Sequence, residues 1–305
     1  MKTVLCVGLT PALQDTRVVD RLRLGDVTRC RSVTYSLAGK GVNVARILRQ
    51  LGARALVTGF AGGDTGRLFL ADPAGRYIRT AAPTRVCVTI REETTGRVTE
   101  LVGEAALPAP REWRAFYRLY DRLARQADVV VISGALMPGA PANVYAKLCA
   151  ATTGPVVIDS QREPLRAALR HRPWLAKLNA HELENTLGPT PILPGARRLL
   201  ELGAQNVLVT HGPRAAWLVT PSGAWRFRPP KIQAVNPIGS GDAVTAGLVA
   251  AWLRGESLPE AVRFGIACGA ANALTPTAGD VNPRDARGLL QLVHSQPVSR
   301  PNARS

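Results

Sequence analysis

A chain of 305 residues with 46% hydrophobic and 20% charged residues holds enough apolar side chain for a substantial core, which excludes global disorder. Its length suits one large α/β domain with a small appendage as well as it suits two domains. The formal charge of +17 is carried by arginines scattered through nearly every segment, with few lysines (Lys2, Lys40, Lys147, Lys177 and Lys231), so no basic stripe points to nucleic acid, while a field that draws phosphates inward is retained.

In chain order, residues 4–7 form a short β-branched run that predicts a buried strand. Met1 and Lys2 lead straight into it, leaving no room for the apolar part of a signal sequence, and no later run approaches a membrane span. The cysteines, Cys6, Cys30, Cys87, Cys149 and Cys268, are widely spaced and show no metal-ligand pattern. They read as small core residues in a reducing compartment, so a cytoplasmic location is expected. Residues 15–36 alternate polar and β-branched side chains without helical spacing, as do residues 84–101, and together they predict a small β-sheet lid. Between them lie a helix over 41–51, a strand over 55–59 and a connection over 65–83. Its Asp72-Pro73-Ala74-Gly75 turn leaves what reads as too little chain for a full helix and strand.

Helices over 111–126, 143–151, 164–170 and 195–202 then alternate with strands over 129–133, 156–159 and 207–210, and helices over 242–254 and 258–274 follow. Strand and helix in repeated succession predict a doubly wound, mostly parallel sheet with helices on both faces. Residues 1–294 are expected to form one domain, and residues 295–305, with two prolines and little apolar content, a disordered tail.

The strongest chemical signal is Asn236-Pro237-Ile238-Gly239-Ser240-Gly241-Asp242, a glycine-rich turn that opens a helix. Glycines let backbone N–H groups converge, and a helix amino terminus favours negative charge, so this turn suits a transferring phosphoryl group. Asp242 there could cap the helix dipole or accept the proton of an attacking hydroxyl. The local residues do not separate the two readings. Upstream, Ala38-Gly39-Lys40-Gly41-Val42-Asn43 is a second glycine-rich turn entering a helix. It matches neither the P-loop nor the dinucleotide pattern, and an ordinary loop with a solvated lysine would look the same. In Lys177-Leu178-Asn179-Ala180-His181-Glu182, Asn179 and Glu182 could share a hydrated Mg²⁺ or form a reciprocal helix cap. Thr210-His211-Gly212 ends a strand where open α/β sheets bind ligands. Neither His181 nor His211 is given a role, and a G-x-S-x-G elbow is missing.

These elements, in this order, resemble the PfkB family of carbohydrate kinases, in the branch that contains 1-phosphofructokinase and tagatose-6-phosphate kinase. Pro11-Ala12-Leu13, the run from Gly39 to Arg46, the run from Gly59 to Gly66, Thr84-Arg85, Thr99-Glu100, Ser133 to Gly139, Lys177 to Glu182 and Gly239 to Asp242 carry the resemblance across nearly the whole chain. It implies a ribokinase-like fold and ATP-dependent phosphorylation of a sugar phosphate. Asp242 would be the base, with the backbone of Gly239, Ser240 and Gly241 as the anion hole. Glu182 would organise Mg²⁺. Asn179, Thr210 and Gly212 would lie on the nucleotide side, with Asn272 near adenine. Gly39, Lys40 and Asn43 would line the sugar side, and Lys40 with Arg85 would hold the phosphate already on the substrate. By the same analogy the lid strands pair between subunits in a homodimer.

The chain departs from the family on the sugar side. The family's Asn-Pro-Ala-Leu-Asp appears as Thr10-Pro11-Ala12-Leu13-Gln14, with Asp15 next in line, and successive strand residues face opposite ways unless a bulge intervenes. Cys87 replaces a usual asparagine, Ile238 enters the anion turn, and Ser240 stands where alanine is common. The Lys40 and Arg85 pair that the resemblance implies favours a sugar phosphate, so the expected acceptors are fructose 1-phosphate first, then tagatose 6-phosphate or fructose 6-phosphate. A kinase for an unphosphorylated sugar or nucleoside is an alternative, as is a non-catalytic sugar-phosphate or nucleotide sensor.

Overall fold

The computed structural model describes residues 2–298. Along the chain, β1 (Thr3–Val7) precedes β2 (Ala12–Val19), β3 (Ser32–Ala38), α1 (Lys40–Gln50), β4 (Arg54–Gly62), α2 (Gly63–Ala71) and β5 (Gly75–Thr80). Next come β6 (Arg85–Glu92), β7 (Val98–Val102), α3 (Pro110–Ala124), β8 (Val129–Ser133), α4 (Val144–Ala150), β9 (Val156–Asp159), α5 (Arg162–Leu169), β10 (Leu175–Asn179) and α6 (Ala180–Leu187). The last part holds α7 (Ile192–Glu201), β11 (Val207–Thr210), β12 (Ala216–Thr220), β13 (Gly223–Arg228), α8 (Ser240–Leu253), α9 (Leu258–Ala273), α10 (Pro283–Leu290) and β14 (His294–Val298).

Ten strands form the main sheet in the order β14-β13-β12-β11-β10-β9-β8-β1-β4-β5. From β11 to β5 all neighbours are parallel, and β12 to β14 extend it as antiparallel strands. The chain leaves β1 toward β4 and later returns on its other side through β8. That reversal opens a crevice at the carboxyl ends of the strands. The period-two geometry of the strands divides the core. Val4, Cys6, Val129, Val131 and Val157 face the layer of α1, α8 and α9, while Leu5, Val7, Val130, Ile132 and Ile158 face Phe116, Tyr120, Leu148, Leu165 and Leu199. Helix α8 is apolar on every side because it is enclosed in this way, with residues 242–251 all buried. No helix among the described residues is long and apolar enough to cross a membrane.

The second sheet, in the order β3-β2-β6-β7, contains the expected lid segments. Gln14 sits opposite Ser36 and Cys87, and Asp15 opposite Tyr35 and Val88, in a register without a bulge. Ala12, Gln14, Arg85, Cys87, Glu100 and Val102 face the crevice. The other side leaves Val33, Tyr35, Val86 and Leu101 exposed.

Two expectations are corrected here. Residues 65–83 do contain a helix and a strand, because α2 starts at Gly63, directly after the last residue of β4, and spends no residues on a linker. Gly63 makes that turn at φ +63°, where L side chains are strained. Residues 295–298 are not disordered: they belong to β14, paired with β13 from Arg228 opposite His294 to Ala224 opposite Val298. Pro297 is tolerated because β14 is an edge strand. The rest of the expected tail, residues 299–305, lies outside the described residues.

Candidate active site

A cavity of about 1250 Å³ opens between the carboxyl edge of the main sheet and the inner face of the small sheet. Asp242 lies in it, in the first turn of α8, and is 5% exposed. Its Oδ2 accepts a hydrogen bond of 2.8 Å from Asn43 Nδ2 on α1. Burial, reinforced by the nearby charge of Asp159, pushes its carboxyl up to about 6 against the opposing pull of Lys40 and the Asn43 amide. A carboxylate titrating near neutrality is well matched to taking a proton from an alcohol.

The turn before it is built by Gly239, which has φ +82° and whose missing side chain leaves room for Gly279 N, 2.6 Å from where a Cβ would stand. The N–H groups of Gly239, Gly241 and Asp242 have no acceptor among the described residues, whereas the Ser240 N–H donates to Pro237 O at 3.2 Å. The backbone anion hole expected from Gly239, Ser240 and Gly241 is corrected in that respect. A β-turn bond occupies the Ser240 N–H and leaves its neighbours on either side open.

Beneath this turn lies a buried charge network. Lys40 Nζ donates to Asp159 Oδ1 at 3.1 Å and to Glu182 Oε1 at 2.9 Å. The other oxygen of Asp159 accepts from Lys177 Nζ at 2.8 Å and Thr245 Oγ1 at 3.3 Å. Asp159 is 0% exposed and Lys177 3%, so each charge persists only because it is paired. Burial opposes ionisation of Asp159, but Lys177 and Lys40 outweigh it and hold the carboxyl down at about 2. Burial likewise opposes the charge of Lys40, yet Asp159, Glu182 and Asp242 prevail and keep its ammonium above the usual lysine range.

Asn179 and Glu182 form the reciprocal cap. Glu182 N donates to Asn179 Oδ1 and Asn179 N to Glu182 Oε2, each at 2.8 Å. The cap uses only one carboxylate oxygen, and the other points at Lys40, so capping and a role in the cleft coexist on one side chain. Thr210, the last residue of β11, and Gly212 beyond it line the cavity.

The side expected to take the sugar is arranged differently. Gly39 lines the cavity beside Lys40 and Asn43. Arg85 lines it as well, but its guanidinium donates to Thr10 O at 2.9 and 3.2 Å and to Gly103 O at 3.1 Å. Lys40 does not join it, being directed to Asp159 and Glu182. Asp15 is corrected: in an unbulged strand it faces away from the cavity, where Arg17 holds it at 2.8 Å. Gln14 takes the inner position, donating to Thr89 Oγ1 and Cys87 O. Asn272 is also corrected. It is 0% exposed and does not line the cavity, because its amide ties the anion turn to residues 279–280.

The chain matches one family model, that of pfkB family carbohydrate kinases, over residues 1–285. The chain belongs to the pfkB family. As a pfkB-family carbohydrate kinase it is a phosphotransferase. It is 31% identical to a 1-phosphofructokinase of Vibrio cholerae over 95% of each chain. It is also 33% identical to an ATP-dependent 6-phosphofructokinase isozyme 2 of Mycobacterium tuberculosis, covering 95% of this chain and 89% of that one. Among solved structures, phosphofructokinase-2 of Escherichia coli with substrates and products superposes with a TM-score of 0.86 at 26% identity, over 95% and 99% of the two chains.

Two members of the charge network in this pfkB-family site receive no role from the sequence: Asp159, which lies in no motif, and Lys177, which opens the element at residues 177–182. The signal available was a lone charge closing or interrupting an apolar run, in Val156-Val157-Ile158-Asp159 and Leu175-Ala176-Lys177-Leu178. Adjacent parallel strands bring the two into register.

Proposed function

We propose that this pfkB-family kinase transfers the γ-phosphoryl group of ATP to a hydroxyl of a ketohexose phosphate, fructose 1-phosphate first and tagatose 6-phosphate or fructose 6-phosphate next. The observation that carries it is the buried Asp242 carboxylate in the first turn of α8, beside N–H groups without an acceptor among the described residues. In this reading Asp242 takes the proton of the attacking hydroxyl. The new O–P bond forms as the bond from γ-phosphorus to ADP breaks, and the Gly239 and Gly241 N–H groups hold the charge on the phosphoryl oxygens. The relatives named 1-phosphofructokinase and 6-phosphofructokinase isozyme 2 support the substrate class.

Mg²⁺ fits the donor set. Asp159 and Glu182 converge on one point, now held by Lys40, and no larger metal-ligating cluster exists among the described residues. Two carboxylates at most, with phosphates and water, are what this ion prefers. When bound it would neutralise charge on the nucleotide phosphates. The apolar outer face of the lid supports a homodimer through that sheet, testable by mass in solution. Five unpaired cysteines accord with a cytoplasmic setting.

One observation favours a second reading, an unphosphorylated acceptor: Arg85 is engaged by two carbonyls and Glu100 faces the same space. An ATP-consumption screen across free and phosphorylated ketohexoses, pentoses and nucleosides decides between them. Turnover confined to free sugars would sink the sugar-phosphate assignment.

A further inference from the structure

Ser240 occupies the centre of the anion turn, yet its backbone N–H is spent on Pro237 O. Its side chain is constrained from the opposite direction by Asn272. The Asn272 Oδ1 accepts the N–H groups of Gly279 at 2.9 Å and Asp280 at 3.2 Å, which fixes which end of the amide is oxygen. The Nδ2 end can therefore only donate, and it does so to Ile238 O at 2.9 Å and Ser240 Oγ at 3.2 Å. Ser240 Oγ is thus an acceptor toward Asn272, and its own proton must leave in another direction. No acceptor for that proton exists among the described residues, and Ser240 lines the cavity between Gly239 and Gly241.

We infer that the Ser240 hydroxyl is a catalytic side-chain donor to the transferring phosphoryl group, aimed and polarised by the Asn272 amide behind it. It replaces the backbone N–H that this turn has lost to Pro237. The ligand it recognises is a phosphoryl oxygen carrying negative charge, because a hydroxyl whose oxygen already accepts from an amide is a better donor and an ionised acceptor roughly doubles the strength of the bond. Asn272 touches no reacting atom and is a positioning residue. The inference rests on the reading of the cleft as a kinase site.

The test is Ser240→Ala, which removes the hydroxyl and leaves the backbone in place. Its kcat is expected to fall about tenfold with KM values for ATP and sugar phosphate within about twofold. Binding of ADP with tetrafluoroaluminate, a mimic of the phosphoryl group in flight, should weaken about as much as kcat, while binding of ADP alone is unchanged. Ser240→Thr, which keeps the hydroxyl, should recover most of the rate. A variant that merely loosened the turn would lose ADP affinity and thermal stability as well, and would overturn the role. So would an alanine variant as fast as the wild type. The wild-type rate is the separate control: a wild-type chain that phosphorylates no sugar removes the kinase reading and this role together, whereas an active wild type with an equally active variant removes this role alone.

Discussion

The half of the cleft on the main sheet, proposed to transfer the phosphoryl group, and the half on the small sheet, proposed to hold the acceptor, differ in what holds their polar side chains. In the first half, Asp159 ends β9, Lys177 lies within β10, and Glu182 and Asp242 stand in the first turns of α6 and α8, with a packed layer on either side of the main sheet. Each charge there has a charged or amide partner within about 3 Å. In the second half, Gln14, Arg85 and Cys87 sit on a four-stranded sheet whose far face is open to solvent. Their hydrogen bonds go to backbone carbonyls and a hydroxyl. Buried ion pairs tolerate few changes, while neutral bonds on a thin sheet can be exchanged at little cost. On the proposed reading, chemistry is anchored in the first region and acceptor choice can be adjusted in the second.

Substitutions can break that contrast or sharpen it. The largest effect is expected from Asp242→Asn, which should lower kcat about 10³-fold; near-normal turnover would end the assignment. In the wild type, kcat/KM should fall as pH drops through about 6, because protonated Asp242 cannot accept a proton. The folded carboxyl titrates above its unfolded value, so its contribution to stability is complete below about pH 4 and is lost as pH rises through about 6. Above that pH, Asp242→Asn should therefore be more stable than the wild type, by up to about 3 kcal/mol in denaturant titration.

Next in size, Lys177→Met leaves Asp159 with Lys40 as its only cation and should cost about 3 kcal/mol of stability. A double variant that also carries Asp159→Asn should regain part of it, and simple additivity of the two losses would show that the pair is not coupled. On the acceptor side, Arg85→Met should raise KM for a phosphorylated acceptor about tenfold and leave KM for ATP alone. A fall in kcat as large as that of an Asp242 variant would erase the difference between the halves. The smallest effect is expected from Gln14→Ala, about threefold in acceptor KM, read in the same kinetic series.

Legibility in the sequence follows the same division. The parallel strands were readable because burial on both faces makes them continuous apolar runs, as at residues 129–133. The anion turn was readable because the left-handed backbone at Gly239 favours glycine. Asp15 misled because identity along a strand says nothing about which face is inward until the register is known, and the unbulged β2 turns it outward. Asn272 misled because the resemblance placed it near adenine, whereas its amide holds the turn at Ile238 and residues 279–280 from behind. Asp159 lies in no motif, and Lys177 opens the element at residues 177–182 without a role being read for it, since their relation is created only when β9 and β10 lie side by side.

The strand β14 has a practical consequence. Its residues look dispensable by composition, yet they cover the outer rim of a ten-stranded sheet by closing the ladder of β13. Truncation before His294 would bare the N–H and C=O groups of Ala224, Arg226 and Arg228 that now face it, and an unpaired rim of this kind recruits other chains. A shortened protein should therefore clump on storage while still turning over substrate when fresh, since the cleft lies at the carboxyl ends of the strands and not along this border.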